Sequence, residues 1–420
     1  MKKEEFKFIL TSVSGNVLEW YDFALYGYFA TVIAKLFFPV KDEFISLMLT
    51  LGVFATGFIA RPVGGIVFGH IGDRYGRRFA LVVSIILIMV PTALIGLLPT
   101  YNSIGLLAPI LLMLFRILQG IAVSGELTGA GTFLLECAAA HKRGFYGSLI
   151  MCSTYLGLLI GASFCVLISY TFSSEQVSSF GWRIPFILSF FFGMGALFLR
   201  LKCEESPVFQ KILKEKKVLK SPASNAIKYF LKPIVLICLV SSALAVAIYL
   251  LIGYFPSYFV LNKKMTLEQS MTINFVGLFA LTCCVPLMGR LTDIIGHKRV
   301  LCFGAIGYLL FGYLIFDLAS RGDFISAIFS VILTAIFLSP IAASLIFTIA
   351  HLFPANVRYS SMSIGYNVSM TIFGGTTPLI AMYATKHLGS DLAPSIYLGV
   401  CSLITLLAVY FIHKNKENNF

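Results

Sequence analysis

The sequence predicts an all-α integral membrane protein of twelve transmembrane helices arranged as two pseudo-symmetric six-helix bundles. Three observations carry that expectation. Of the 420 residues, 58% are hydrophobic and 12% charged; the charged share is about half that of a soluble domain. Twelve spans of about 20 residues each would need about 240 apolar residues, close to the apolar inventory of this chain. The apolar residues also run unbroken, as over 81–98 and 325–353, which exceeds a membrane β-strand and lacks its alternation. Third, one short motif recurs about half a chain apart.

Taken in order, spans are expected near 11–38, 44–70, 79–98, 105–135, 145–171 and 182–201, then near 234–261, 268–289, 300–319, 324–352, 360–385 and 391–412. The first apolar run is too long for a removable signal peptide and acts as its own insertion signal. The lysine-rich stretch 202–233 separates the halves, giving a first half over 1–201, a linker, and a second half over 234–420. With the N-terminus inside, only Lys35, Lys41, Arg183, Lys263, Lys264, Arg321 and Lys386 fall on the outer side. The positive-inside rule then puts both termini and the linker in the cytoplasm of a multi-pass bacterial inner-membrane protein. The net charge of +13 follows from this topology and from attraction to lipid, with no nucleic-acid partner implied. The nine cysteines lie singly or as the adjacent Cys283 and Cys284, without CxxC spacing. No metal, cofactor or redox pair is expected.

The recurring motif is Gly69, Asp73, Gly76 and Arg78, repeated at the same spacing as Gly289, Asp293, Gly296 and Lys298. Both copies fall on short inner loops after the second helix of each half, as duplicated transporter halves require. Glycines allow a tight turn around one carboxylate and the guanidinium groups of Arg74, Arg77 and Arg78. Such a loop is expected to lock one conformation by ion pairing and by capping a neighbouring helix, which makes it a switch.

Charged residues inside lipid are costly and therefore mark function. Within the spans these are Glu19, Asp22, Arg61, Arg116 and Glu126. At 1.5 Å per residue, Asp22 and Arg116 both lie about 16 Å deep, near the midplane. Glu19 shares a helical face with Asp22, and Tyr26 lies one turn beyond. Burial raises a carboxyl pKa and a neighbouring arginine lowers it, so an arginine that moves can switch proton affinity. Asp22 or Glu19 is thus the expected proton carrier, with Arg116 alternating between carboxylate and substrate; the bland alternative is a buried ion pair that ties two helices together. Arg61 and Glu126 are expected within about 5 Å of the inner surface, able to pair across the second and fourth helices as a gate or scaffold. Gln119, one turn after Arg116, joins the candidate substrate contacts. Tyr249, Tyr254 and Tyr258 could wall a cationic group or simply pack, and Asn367 could line the path or bond a neighbouring helix. Gly253 with Pro256, Ser339 with Pro340, and Gly374 and Gly375 with Pro378 are expected interruptions of later helices.

The loop 69–78 is similar to the signature loop of the major facilitator superfamily, and Arg116-x-x-Gln119-Gly120 resembles that superfamily's fourth-helix motif. Narrower likeness comes from Gly15-Asn-Val-Leu-Glu19-Trp20-Tyr21-Asp22-Phe23, Ala60-Arg61-Pro62, Gln119 to Glu126, Lys142 to Gly147, Trp182 to Phe186, Glu204 to Phe209 and Phe353-Pro-x-x-x-Arg358. Together these resemble the metabolite:proton symporter family, nearest its proline/betaine carriers. The resemblance implies the major facilitator fold, a monomer, and import of a small zwitterion or organic acid with protons by alternating access. One departure is His351, where the family usually has glutamate before Leu-Phe-Pro. Few counter-charges for a trianion are present, which favours a zwitterion or singly charged acid. The alternatives are a proton-coupled dicarboxylate or organic-acid carrier, an uncoupled facilitator, and, from another class, a membrane sensor without transport. No nucleophile-base arrangement or nucleotide-binding loop suggests an enzyme.

Overall fold

The computed structural model describes residues 3–414, which form helices and turns with no strand among them. In the first half the spans are Lys3–Tyr28 continued by Ala30–Phe37 (span 1), Glu43–Arg74 (span 2), Arg77–Leu97 (span 3), Leu107–Cys137 (span 4), Arg143–Thr171 (span 5) and Arg183–Leu201 (span 6). A linker helix, Pro207–Lys214, follows. In the second half, span 7 is built from Pro222–Val240, Ser242–Tyr249, Leu250–Tyr254 and Phe255–Leu261. Span 8 is Leu267–Ile295, span 9 His297–Ser320 and span 10 Phe324–Ala350. Span 11 combines Arg358–Ser369, Met370–Gly374 and Thr377–His387, and span 12 is Ala393–Lys414.

Ten of these helices are long and apolar enough to cross a membrane by composition alone. Spans 1 and 11 fall outside that set for different reasons: span 1 is too polar, and span 11 is broken by the turn at Gly375 and Thr376 into pieces too short to cross. Span 1 brings Asn16, Glu19 and Asp22, and span 11 brings Ser360, Ser361, Ser363 and Asn367, all buried. The halves touch chiefly through spans 2 and 11 and through spans 5 and 8, pairs related by the internal repeat.

Small residues set the closest approaches. A side chain at Gly120 would meet the Gly57 backbone, so spans 2 and 4 pack directly, and Gly157 and Gly161 of span 5 lie against Val17, Tyr21 and Ala24 of span 1. In a membrane such interfaces rest on van der Waals packing. The spans reverse sharply at Gly76 and Gly296, whose φ values of +112° and +93° favour glycine.

Two of the three expected interruptions are present. Leu250–Tyr254 and Met370–Gly374 are π turns, preceding Pro256 and Pro378, and a proline frees a carbonyl four residues earlier. Asn274 donates to a carbonyl within the first of these turns, that of Leu251, at 2.7 Å. The third expectation needs correction, because span 10 runs unbroken through Ser339 and Pro340. The Ser339 hydroxyl donates at 3.1 Å to the Ile336 carbonyl, the one that Pro340 leaves without an N–H donor, and so keeps the helix continuous. The helix leading into span 7 also starts earlier than expected, at Pro222, and bends at Phe230 just before Pro233.

Candidate functional site: buried charges where the halves meet

Span 1 projects Glu19 and Asp22 from one face into a small cavity shared with Trp20, Phe23, Phe54, Phe58, Arg61, Arg116 and Gln119. Three of the predicted residues form a closed network. Arg116 lies 3.2 Å from the Asp22 carboxylate and donates to the Gln119 carbonyl oxygen at 2.8 Å. The Gln119 amide donates to Asp22 at 2.8 Å and to Thr92 at 2.7 Å. Tyr26 contributes its ring, 4.4 Å beneath the Arg116 guanidinium, while its hydroxyl donates to the Thr50 carbonyl. Phe54 stacks on Tyr26 and also faces Arg116, at 5.0 Å. A guanidinium held between a carboxylate and two aromatic faces is well compensated for leaving water.

Glu19 is held differently. Its nearest cation is Arg61, at 3.9 Å, and neither of its carboxylate oxygens accepts a hydrogen bond. Arg61 reaches across to the second half, where its guanidinium donates to the Tyr249 hydroxyl at 3.4 Å.

The expected pairing of Arg61 with Glu126 is corrected by this arrangement. Span 2 extends to Arg74, so Arg61 sits about 20 Å above that end at 1.5 Å per residue, well away from the surface. Glu126 turns the other way, to Arg200 of span 6, whose guanidinium grips both carboxylate oxygens, and to the Ser84 hydroxyl at 2.6 Å. Residue counting gives height along a helix and says nothing of azimuth. Arg200, missed as an intramembrane charge because it lies one residue from the end of span 6, is fully buried. The available signal was Gly15, where a side chain would collide with Arg200 and Glu126.

Tyr249, Tyr254 and Tyr258 do not form one wall. Tyr249 meets Arg61 and Phe58, whereas Tyr254 and Tyr258 stack on each other at 5.2 Å, with Tyr254 bonded to Thr385 and Tyr258 beneath Lys263. The π turn over Leu250–Tyr254 rotates them away. Asn367 bonds a neighbouring helix: its amide donates to the Ser124 carbonyl of span 4 at 2.8 Å, next to the same contact from Ser363.

At the linker end the halves are sealed. Asp73 accepts from the backbone N–H groups of Tyr359 and Ser360, the first turn of span 11, at 3.3 and 2.8 Å. Asp293 repeats the arrangement on span 5, accepting from Gly144 and Phe145 at 2.6 and 2.9 Å. Each carboxylate satisfies orphan donors and meets the positive end of a helix dipole across the interface. Arg77 pairs with Asp73 at 3.2 Å and with Glu136 at 3.2 Å, and Arg358 of span 11 reaches Glu136 at 3.1 Å. Arg74 bonds the Lys220 carbonyl, and Arg78 bonds the carbonyls of Arg200 and Leu201. Glu205 accepts from the Arg78 N–H, and burial pushes its carboxyl up from the usual range. Gly69 completes the latch by leaving room for Ser360. Glu136, Arg358 and Glu205 were not singled out as site residues, since a cluster drawn from four separate segments has no local spacing.

At the opposite end the halves part. A space between spans 1 and 5 and spans 7 and 8 borders Phe23, Gly253 and Asn274, and a wider one continues past Tyr28 and Met271. Phe23 lines both the inner cavity and this vestibule. The described residues thus place a buried polar network between a closed end and an open end.

Residues 7–226 match the family description "Sugar (and other) transporter", and residues 270–419 match "Major Facilitator Superfamily". The chain belongs to the major facilitator superfamily. A relative from Staphylococcus aureus (strain COL), provisionally named a proline/betaine transporter, is 37% identical over 98% of this chain and 89% of its own length. The glycine betaine/proline/ectoine/pipecolic acid transporter OusA of Dickeya dadantii (strain 3937) is 32% identical over 98% of this chain and 84% of its own length. The proline/betaine transporter of Salmonella typhimurium (strain LT2) is 33% identical over 96% and 82%. In fold, the proton:xylose symporter XylE bound to 6-bromo-6-deoxy-D-glucose superposes with a TM-score of 0.77 at 18% identity, covering 99% of this chain and 96% of that one. The superposition is looser, 0.69, on a partially occluded inward open form of the same transporter. This major facilitator protein is thus a multi-pass membrane transporter.

Proposed function

We propose that this transporter carries a small zwitterion of the proline and betaine class into a bacterial cell across the inner membrane, together with protons, by alternating access. The names of its relatives support the substrate class. The observation that carries the coupling is the closed network of Asp22, Arg116, Gln119 and Thr92 inside a cavity that also holds a second carboxylate, Glu19. Arg116 gives the Asp22 carboxylate a countercharge while it lies beside it. Drawing Arg116 away leaves a desolvated carboxylate, which then takes up a proton. With both termini and the linker in the cytoplasm, as the distribution of positive charge supports, the latched end is cytoplasmic and the vestibule opens outward.

The test is transport by purified protein in proteoliposomes, first as counterflow with a panel of betaine, proline, α-ketoglutarate and citrate, then with an imposed pH gradient. Betaine and proline should exchange, and an inward proton gradient should accumulate them. Asp22→Asn should abolish gradient-driven accumulation and retain counterflow. Full accumulation by that variant would exclude Asp22 as the coupling group, and exchange of citrate or ketoglutarate alone would overturn the zwitterion reading.

A further inference from the structure

The two carboxylates of span 1 lie on one helical face yet differ in what completes them. Asp22 accepts from both Arg116 and Gln119 at Oδ2, although its Oδ1 and the Arg116 Nε have no partner. Glu19, 2% exposed, has no hydrogen bond to either oxygen, and its partner Arg61, 3% exposed, leaves Nε without an acceptor. The 3.9 Å between them is attraction without a hydrogen bond. Both groups face the same cavity. A carboxylate and a guanidinium buried with incomplete partners are expensive, and a third group that brings a positive charge to the one and an acceptor to the other offsets part of that cost.

A molecule that completes both must carry a cation at one end and an anion at the other. Resting on the transport reading above, we propose that a zwitterionic solute inserts between Glu19 and Arg61, with its ammonium group against Glu19 and its carboxylate against Arg61 and the Tyr249 hydroxyl. The ring faces of Trp20, Phe23 and Phe58 border the same space and supply the quadrupole that favours a poorly hydrated, methylated cation. Arg61 now rests 5.6 Å from the Phe58 ring, so its swing toward the solute carboxylate clears that face. Tyr249 belongs to the second half and Arg61 to the first. A carboxylate held by both ties the halves together, which gives the solute a means of favouring closure. Glu19 then serves the solute, and the proton is left to Asp22.

Three probes of nearly equal shape separate the charges: glycine betaine, choline, which lacks the carboxylate, and 3,3-dimethylbutyrate, which lacks the positive charge. The readout is inhibition of betaine counterflow in proteoliposomes by the full chain without a pH gradient. Wild type should discriminate strongly against both analogues. Glu19→Gln should raise the betaine half-saturation about tenfold or more, the loss of one charge-assisted contact, and narrow the gap between betaine and 3,3-dimethylbutyrate. Arg61→Gln should narrow the gap between betaine and choline. Tyr249→Phe, a milder change that keeps the ring packing, should weaken betaine a few-fold and leave choline unchanged.

Betaine half-saturation within twofold of wild type in Glu19→Gln, with its discrimination intact, would overturn the assignment. So would a Glu19→Gln variant that keeps counterflow affinity and loses only pH-driven accumulation, since Glu19 would then be the proton carrier. Wild-type counterflow without pH-driven accumulation would instead break the proton-coupling reading and leave this site standing if the variants shift discrimination.

Discussion

The two copies of the signature loop make the same backbone contact and are reinforced by different chemistry. Asp73 caps span 11 and Asp293 caps span 5, each through two N–H groups. Behind Asp73 stands an ionic cluster of Arg77, Glu136 and Arg358. At the corresponding places of the second half stand His297 and His351, whose rings stack at 5.5 Å, with His297 bonded to Thr348. His351 is thus the departure from the family pattern seen in structural context: it faces His297, which stands where the first copy has Arg77. The cap is the element the duplicated fold requires at both places, because each helix N-terminus presents orphan donors to the opposite half. The ionic reinforcement is a local addition, and the two copies have diverged in it.

The largest effect that would break this contrast is expected from Glu136→Gln. Arg77 and Arg358 would remain buried with their shared carboxylate removed, a loss of about 3–5 kcal/mol, and the latched end should open. Thiol labelling of Ser363→Cys, placed at the contact with Ser124 in a background without native cysteines, should rise sharply from the linker side. Unchanged labelling would mean that the helix caps alone hold the seal.

A smaller effect separates the caps. Asp73→Asn forfeits both the cap and the Arg77 pair and should weaken the closed form by about 2 kcal/mol, whereas Asp293→Asn forfeits the cap and a weaker attraction to His141, about 1 kcal/mol. The same labelling assay, run on both, should rank them in that order, and equal effects would show that Arg77 gains nothing from Asp73. The smallest effect is expected from rebuilding the ion pair in the second half with His297→Arg and His351→Glu together. The pair is partly buried, so a gain of about 1 kcal/mol for the closed form is expected, with slower counterflow. Faster counterflow would show that the imidazole stack is the stronger fastening.

Much of the site was legible before any coordinates, and the failures share a cause. Asp22, Arg116 and Gln119 could be brought together from depth along their helices, since two residues near mid-membrane on adjacent spans have few other partners. Arg61 and Glu126 could not, because pairing them required knowing which way each helix is turned. Spans 2 and 4 meet at Gly57 and Gly120, and that contact sends Arg61 toward span 1 and Glu126 toward spans 3 and 6. Tyr254 and Tyr258 left the expected wall because the π turn ahead of Pro256 adds rotation that a regular helical wheel omits.

Composition and periodicity determine how many helices this chain can bury in lipid, where the halves divide and which side chains are costly enough to demand a partner, since all of these follow from the transfer of single residues or segments out of water. Which partner each charge finds, and whether it finds a complete one, is decided by helix rotation and by close packing at glycines, quantities that exist only once twelve helices share one space. That is why Asp22 takes two hydrogen bonds at one oxygen and Glu19, three residues earlier on the same helix, takes none.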